Sequence, residues 1–401
     1  MPKQRILDSH IHLWPSSAAN NESHAWMNKG DHLAKQYSIS EYLAASSPSP
    51  TPSSREPANY EVKGFVYVET DRRYRRELAE GEDVCEFKWA EQCYAENAFL
   101  MRIIRRLRAE GVGVDEGFDG ETAGLMRGCV VWAPVDRGLD VFRRWLDVEH
   151  STGLQWVKGF RYLLQGIRDK GEFERVVMDA GFVDVLRFMG REGWCFDVGV
   201  DQRQGGNWQL EFIPGLIARV HEGVVGDREK TVFVLSMCVV FFCFEVMATL
   251  TTDDVVDHLC KPDMEDSLDN NPDTKALFEL WKLSITRLAA CEKTYMKLSG
   301  AFSEIADQDP NHPWPVSKIV ERIRPWLEHV LQTFTPQRIM FGSDWPVCNV
   351  RGPGDAKSWG HWRSVVEASL EEQGLSELQK DRIWYGTAEE VYKLEKEPVY
   401  G

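Results

Sequence analysis

Eight short apolar runs, separated by stretches of helical character, constrain this chain more than any other feature. The runs are Arg5 to His12, Gly64 to Glu69, Gly128 to Val135, Trp156 to Tyr162, Trp194 to Val200, Thr231 to Leu235 or Val255 to His258, Tyr295 to Ser299, and Arg338 to Ser343. Glu82 to Ala109, Phe173 to Glu192 and Pro315 to Thr333 read as helices between them. Regular strand–helix alternation marks a parallel α/β protein, and eight repeats predict a (β/α)8 TIM-like barrel. Barrels often use a length of 401 residues as one unit, so residues 1–401 are expected to form a single domain.

Composition narrows the partners. The formal net charge is −16, and an acidic surface repels phosphate backbones and anionic headgroups, so neither nucleic acid nor membrane is expected as a partner. The N-terminal Met-Pro-Lys-Gln-Arg-Ile-Leu-Asp lacks the apolar core of a secretory signal, and the nine cysteines form no C-x-x-C pair. Both features point to reduced thiols in a cytoplasmic protein. The chain holds no Walker A loop, no G-x-S-x-G elbow and no H-E-x-x-H pair.

Two segments break the alternation. Ser46 to Pro57 is too rich in Ser and Pro for regular structure and reads as an irregular loop. Val232 to Leu250, with Glu245 as its only charge, is long enough to cross a bilayer but lacks a basic flank. Within and beyond it, residues 236–256 form an anomalous insertion that places Val239 to Phe244 at a strand end, where loops are normally polar. The genetic code offers an explanation. Ser236-Met237-Cys238 can be written AGT-ATG-TGT, which contains a GTATGT splice donor, and Val255-Val256 can be written GTA-GTC, which contains an acceptor AG. Cutting there joins Leu235 through one Ile to Asp257 in frame, so the segment is expected to be a retained intron. A family insertion and a membrane-touching loop are the alternatives.

Active sites of such barrels lie at the C-terminal ends of the strands, so polar residues there are the candidates. The first strand ends Asp8-Ser9-His10-Ile11-His12, and period-2 alternation turns both imidazoles to one face. Two imidazoles side by side suit a divalent metal, and equally a substrate pocket without one. Glu69 closes the second strand, Arg161 and Tyr162 the fourth, Asp197 lies in the fifth, His258 follows the sixth, and Asp344 and Trp345 follow the eighth. Any single one of these also reads as a loop salt bridge or helix cap. Their recurrence at successive strand ends is what indicates a site.

Asp-Ser-His-Ile-His-Leu-Trp at the start, Gly-Phe-Arg in the middle, Asp-His-Leu-Cys-Lys-Pro later and Gly-Ser-Asp-Trp-Pro near the end resemble the amidohydrolase-related family of metal-dependent hydrolases. Within it they are most similar to the branch of sugar lactonases acting on L-rhamnono- and L-fucono-lactones. The resemblance implies a barrel hydrolase of carbohydrate catabolism with Asp344 as general base and with His10, His12 and His258 lining the metal or substrate centre. Two departures stand out. The fifth strand, Cys195 to Asp201, lacks the metal-binding His common in the wider superfamily, and Gly386-Thr387 stands where many relatives carry Asn. One divalent ion such as zinc, or none, is therefore expected in place of a binuclear centre.

Lactone hydrolysis needs an activated water, a polarised carbonyl and an acid for the leaving oxygen. Asp344 is expected to take the proton of the water. A metal on His10 and His12, with Glu69 as a further ligand, is expected to stabilise the oxyanion; without metal, His258 and Arg161 take that role. Arg161, Asp197, Trp14, Tyr162 and Trp345 are expected to hold the sugar. A decarboxylase or other carbon–oxygen hydrolase is the enzymatic alternative on the same barrel, and a relative disabled by the insertion is the non-enzymatic one.

Overall fold

The computed structural model describes residues 3–47, 59–105, 116–149, 153–200, 206, 208–236, 264, 268 and 271–394. Eight parallel strands lie in sequential order: β1 (Gln4–Ile11), β2 (Tyr60–Val68), β3 (Met126–Trp132), β4 (Val157–Leu163), β5 (Cys195–Gly199), β6 (Val232–Ser236), β7 (Thr294–Leu298) and β8 (Ile339–Phe341). All eight expected runs contribute a strand. For the sixth, Thr231 to Leu235 supplies it; Val255 to His258 lies outside the described residues. The sheet curls into a nearly closed barrel. Its seam is joined by a parallel bridge between Ile11 and Trp345, with the Asp344 amide donating to the His10 carbonyl at 2.8 Å and the His12 amide to the Trp345 carbonyl at 2.7 Å.

The alternation of each strand divides the apolar residues in two. One set faces the surrounding helices, where Phe65, Phe160, Phe196 and Phe233 pack. The other set, with Leu7, Val66, Val68, Val130, Val234 and Met340, fills the barrel, and Tyr385, Ala388, Val391 and Tyr392 from the C-terminal segment pack against it. Burial on both faces explains why the strands read as almost continuous apolar runs.

Helix boundaries follow local capping. The expected helix over Glu82 to Ala109 shortens to Glu91–Ile104, because Phe87 adopts a left-handed conformation (φ 54°) between two short 3-10 turns; residues 106–109 lie outside the described set. Phe173 to Glu192 divides into Lys170–Val177 and Ala180–Glu192, since the Asp179 side chain accepts from the Phe182 amide and starts a new helix. Val316–Phe334 forms as expected. Most of the Ser/Pro-rich stretch and nearly all of the apolar insertion lie outside the described residues. No helix among the described residues is long and apolar enough to cross a membrane.

Candidate active site

β1 becomes irregular in its pairing with β2 between Asp8 and Ile11, and this brings both histidines toward the barrel mouth. Gly342 makes room for His10: a Cβ there would lie 2.9 Å from the His10 Cβ and 3.2 Å from that of Ser299. Two residues on, Asp344 holds a left-handed backbone (φ 58°), unfavourable for a residue with a side chain. The seam hydrogen bond to His10 fixes it there, and the carboxylate meets the histidines. His10 Nε2 and His12 Nε2 are 3.1 Å apart, and Asp344 Oδ1 is 3.2 Å from His12 Nε2 and 3.5 Å from His10 Nε2. His10 and Asp344 are fully buried and His12 is 4% exposed.

These spacings resemble the edges of a tetrahedron around zinc, about 3.3 Å for ligand bonds of ~2.0 Å. The outer partners refine the test. His12 Nδ1 lies 2.9 Å from the Val68 carbonyl, which only accepts, so Nδ1 carries the proton and Nε2 presents its lone pair to the centre. His10 Nδ1 lies 3.2 Å from Lys297 Nζ, whose ammonium only donates, which leaves the proton on His10 Nε2. The three atoms therefore fit one divalent ion in spacing, and an ion entering there displaces the His10 proton.

Below and beside this point lie two buried ion pairs. Lys297 Nζ donates to Asp197 Oδ2 at 2.7 Å, with both side chains fully buried. Arg161 Nε pairs with Glu69 Oε1, and the same guanidinium donates to the Glu69 carbonyl at 2.6 Å. Glu69 thus joins Arg161 and is not part of the three-ligand group. Beyond it, the Asp71 carboxyl is pushed up to about 7, mainly by burial and then by the Glu69 charge.

Asp8 is turned outward from the centre. It accepts from the Ser343 amide at 2.8 Å, Trp359 Nε1 at 2.9 Å and the Tyr42 hydroxyl at 3.1 Å, tying β1 to the segment that carries Asp344. Burial raises its carboxyl above the usual range against the pull of these hydrogen bonds.

The aromatic candidates occupy packing positions. Trp14 donates Nε1 to the Lys35 carbonyl and sits among His24, Trp26 and Tyr37. Trp345 packs edge-on against Tyr37 and Tyr42, and Tyr162 lies on the helix-facing side of β4, with its ring 6.4 Å from Phe182. His258 lies outside the described residues. The sequence reading passed over Lys297, although a lysine inside the apolar run of β7 was a usable signal. It also passed over Gln165, which follows β4, is 1% exposed and has no hydrogen-bond partner for either amide atom.

Residues 247–394 match the amidohydrolase family. That stretch is similar to an amidohydrolase domain. Over 401 aligned residues it is 28% identical to the L-rhamnono-gamma-lactonase of Scheffersomyces stipitis, covering 98% of this chain and 100% of that relative. It is 29% identical to an L-fucono-1,5-lactonase of Burkholderia multivorans over 59% of this chain and 63% of that protein. A solved amidohydrolase from Burkholderia multivorans with bound zinc shares the fold, with a TM-score of 0.60 and 24% identity over 97% of this chain and 99% of that one.

Proposed function

We infer that this protein is an amidohydrolase that opens the ester of a sugar-acid lactone of the L-rhamnono-1,4-lactone kind by hydrolysis. The relatives named for L-rhamnono- and L-fucono-lactone hydrolysis support the substrate class and favour hydrolysis over decarboxylation. The observation that carries the chemistry is the buried convergence of His10, His12 and Asp344 at one end of the barrel.

Asp344 accepts a proton from water as its oxygen adds to the lactone carbonyl. The ring carbon–oxygen bond then breaks, and the proton passes to the departing ring oxygen, giving the open hydroxy acid. His10, His12 and Asp344 would hold a divalent ion such as zinc, which when bound polarises the carbonyl. His12 is kept in one tautomer by Val68, so its Nε2 lone pair faces the centre beside Asp344. Arg161 contributes positive potential at the mouth, with Glu69 fixing its orientation. Asp197 Oδ1, buried without a hydrogen-bond partner, and the Gln165 amide are the groups assigned to sugar hydroxyls. A non-catalytic role is the competing outcome.

The test is a panel of aldonolactones followed by proton release, with and without chelator. Turnover of six-carbon deoxy-aldonolactones is expected. No turnover of any lactone by folded protein, with or without added zinc, would overturn the reading.

A further inference from the structure

A carboxylate away from the ligand group gathers an unusual number of donors. Asp355, in the segment between β8 and the helix Ser358–Glu372, accepts from His32 Nε2 at 2.7 Å, Tyr37 OH at 2.9 Å, Asn349 Nδ2 at 2.9 Å and Lys35 Nζ at 2.5 Å. Three of these donors come from the loop after β1 and one from the segment after β8. Asp355 therefore straps together the loops on the two sides of the barrel seam. The convergence holds its carboxyl well below the usual range against the opposing cost of burial.

The strap leads inward through Tyr37. This residue is 2% exposed, and its ring packs edge-on against Trp14 at 5.4 Å and Trp345 at 5.3 Å. Its backbone is bridged to Trp14 in both directions, at 2.7 and 3.1 Å. Trp14 follows His12 by two residues, and Trp345 follows Asp344 directly. Tyr37 thus rests on both chain segments that leave the His12–Asp344 contact.

We propose that Asp355 is a positioning residue, which by fixing Tyr37 against Trp14 and Trp345 sets the register between His12 and Asp344. Two observations separate this from an ordinary surface ion pair. His32 and Lys35 are about half exposed, so their charges alone add little to stability. Asp344, in contrast, holds a left-handed backbone that its surroundings must enforce. A site residue with that backbone needs a rigid neighbour on its far side, and the Trp345 ring pressed by Tyr37 supplies one.

The role of Asp344 and His12 in lactone turnover rests on the proposed function, so the test reads geometry first and activity second. Full-length metal-free protein labelled with 15N-histidine is compared as wild type, Asp355→Ala, Asp355→Asn and Asp381→Ala. The last breaks the Arg5–Asp381 pair, a half-exposed ion pair at the opposite end of β1. The His12 ring signals are assigned by their loss in His12→Asn. In Asp355→Ala they are expected to shift and broaden, with kcat falling roughly 10- to 100-fold at little changed KM. Asp355→Asn keeps the shape and is expected to fall between, and Asp381→Ala to match wild type. His12 signals unchanged in Asp355→Ala, or equally disturbed in Asp381→Ala, overturn the proposal. Disturbed signals in a protein that turns over no lactone leave it standing and reject the proposed function.

Discussion

Lys297 Nζ and Asp197 Oδ2 meet at 2.7 Å in a place where neither side chain reaches solvent. Breaking such a pair from one side strands a buried charge. Lys297→Met is therefore expected to cost about 3–5 kcal/mol. Lys297→Met combined with Asp197→Leu should recover most of that loss. Urea unfolding measures both, and a single variant as stable as wild type would show that the buried pair does not carry this cost.

Asp344→Asn keeps the backbone bond to His10 and removes the base. Turnover of the best lactone should drop about 10²- to 10⁴-fold, while the melting midpoint stays close to wild type. Near-normal kcat in this variant removes Asp344 from the chemistry.

Zinc titrated into chelator-treated protein is expected to occupy one site per chain. Repeating the calorimetry in buffers of different ionisation enthalpy should reveal proton release, since the His10 Nε2 proton must leave. At a free concentration a hundred times Kd, the ion adds about 2.7 kcal/mol to stability. His12→Asn should lose both effects; retention of the site in that variant counts against the three-ligand assignment.

Gln165 offers an opposed pair of outcomes. Its amide is buried with neither atom satisfied, an arrangement that costs about 1–3 kcal/mol unless a ligand repays it. Gln165→Met should raise stability by ~1 kcal/mol and raise KM with kcat little changed. A variant that gains stability and keeps KM would show that the amide never meets substrate.

His24 is held well below its ordinary value of 6.5 by burial and then by the Arg72 charge. The folded protein thus resists a proton that the unfolded chain takes up. Stability from this group is complete above pH 6.5 and declines as pH falls below it. His221, His329 and His361 are lowered for the same reason of burial, so the difference between wild type and His24→Gln isolates the effect. Between pH 7.5 and 5.5, wild type should lose more stability than the variant in urea unfolding, and an equal loss in both would remove His24 as the cause.

β6 pairs with β5 from Cys195–Val232 through Gly199–Ser236, so the sheet is complete where the apolar insertion begins. A chain joined from Leu235 through one Ile to Asp257 is expected to fold and to turn over lactone at least as well as the full chain. Sequencing of the transcript across this junction should find the shorter message dominant. A dominant message that retains the segment rejects the intron.

The strands were legible because a barrel strand is buried on both faces and must be apolar throughout, as in Gly64 to Val68. The His10–His12 spacing and Asp344 were visible for the opposite reason: polar groups ending apolar runs have no packing purpose. Pairings across the chain left no such trace. Nothing local in Glu69 announces Arg161, which is 92 positions away, and the aromatic residues Trp14, Tyr162 and Trp345 look alike in sequence whether they line a pocket or fill a core. Helix breaks at Phe87 and Asp179 depend on single-residue conformation and capping, which periodicity does not register.

The barrel seam has a consequence for biogenesis. His12 and Asp344 are separated by 332 positions, and the contacts that bring them together are the contacts that join the first strand to the last. A chain still emerging from the ribosome has no such centre until nearly all of it has been made. An ion held by all three groups can therefore be acquired only once the last strand has been made, and truncation anywhere before Asp344 yields a polypeptide without the third group.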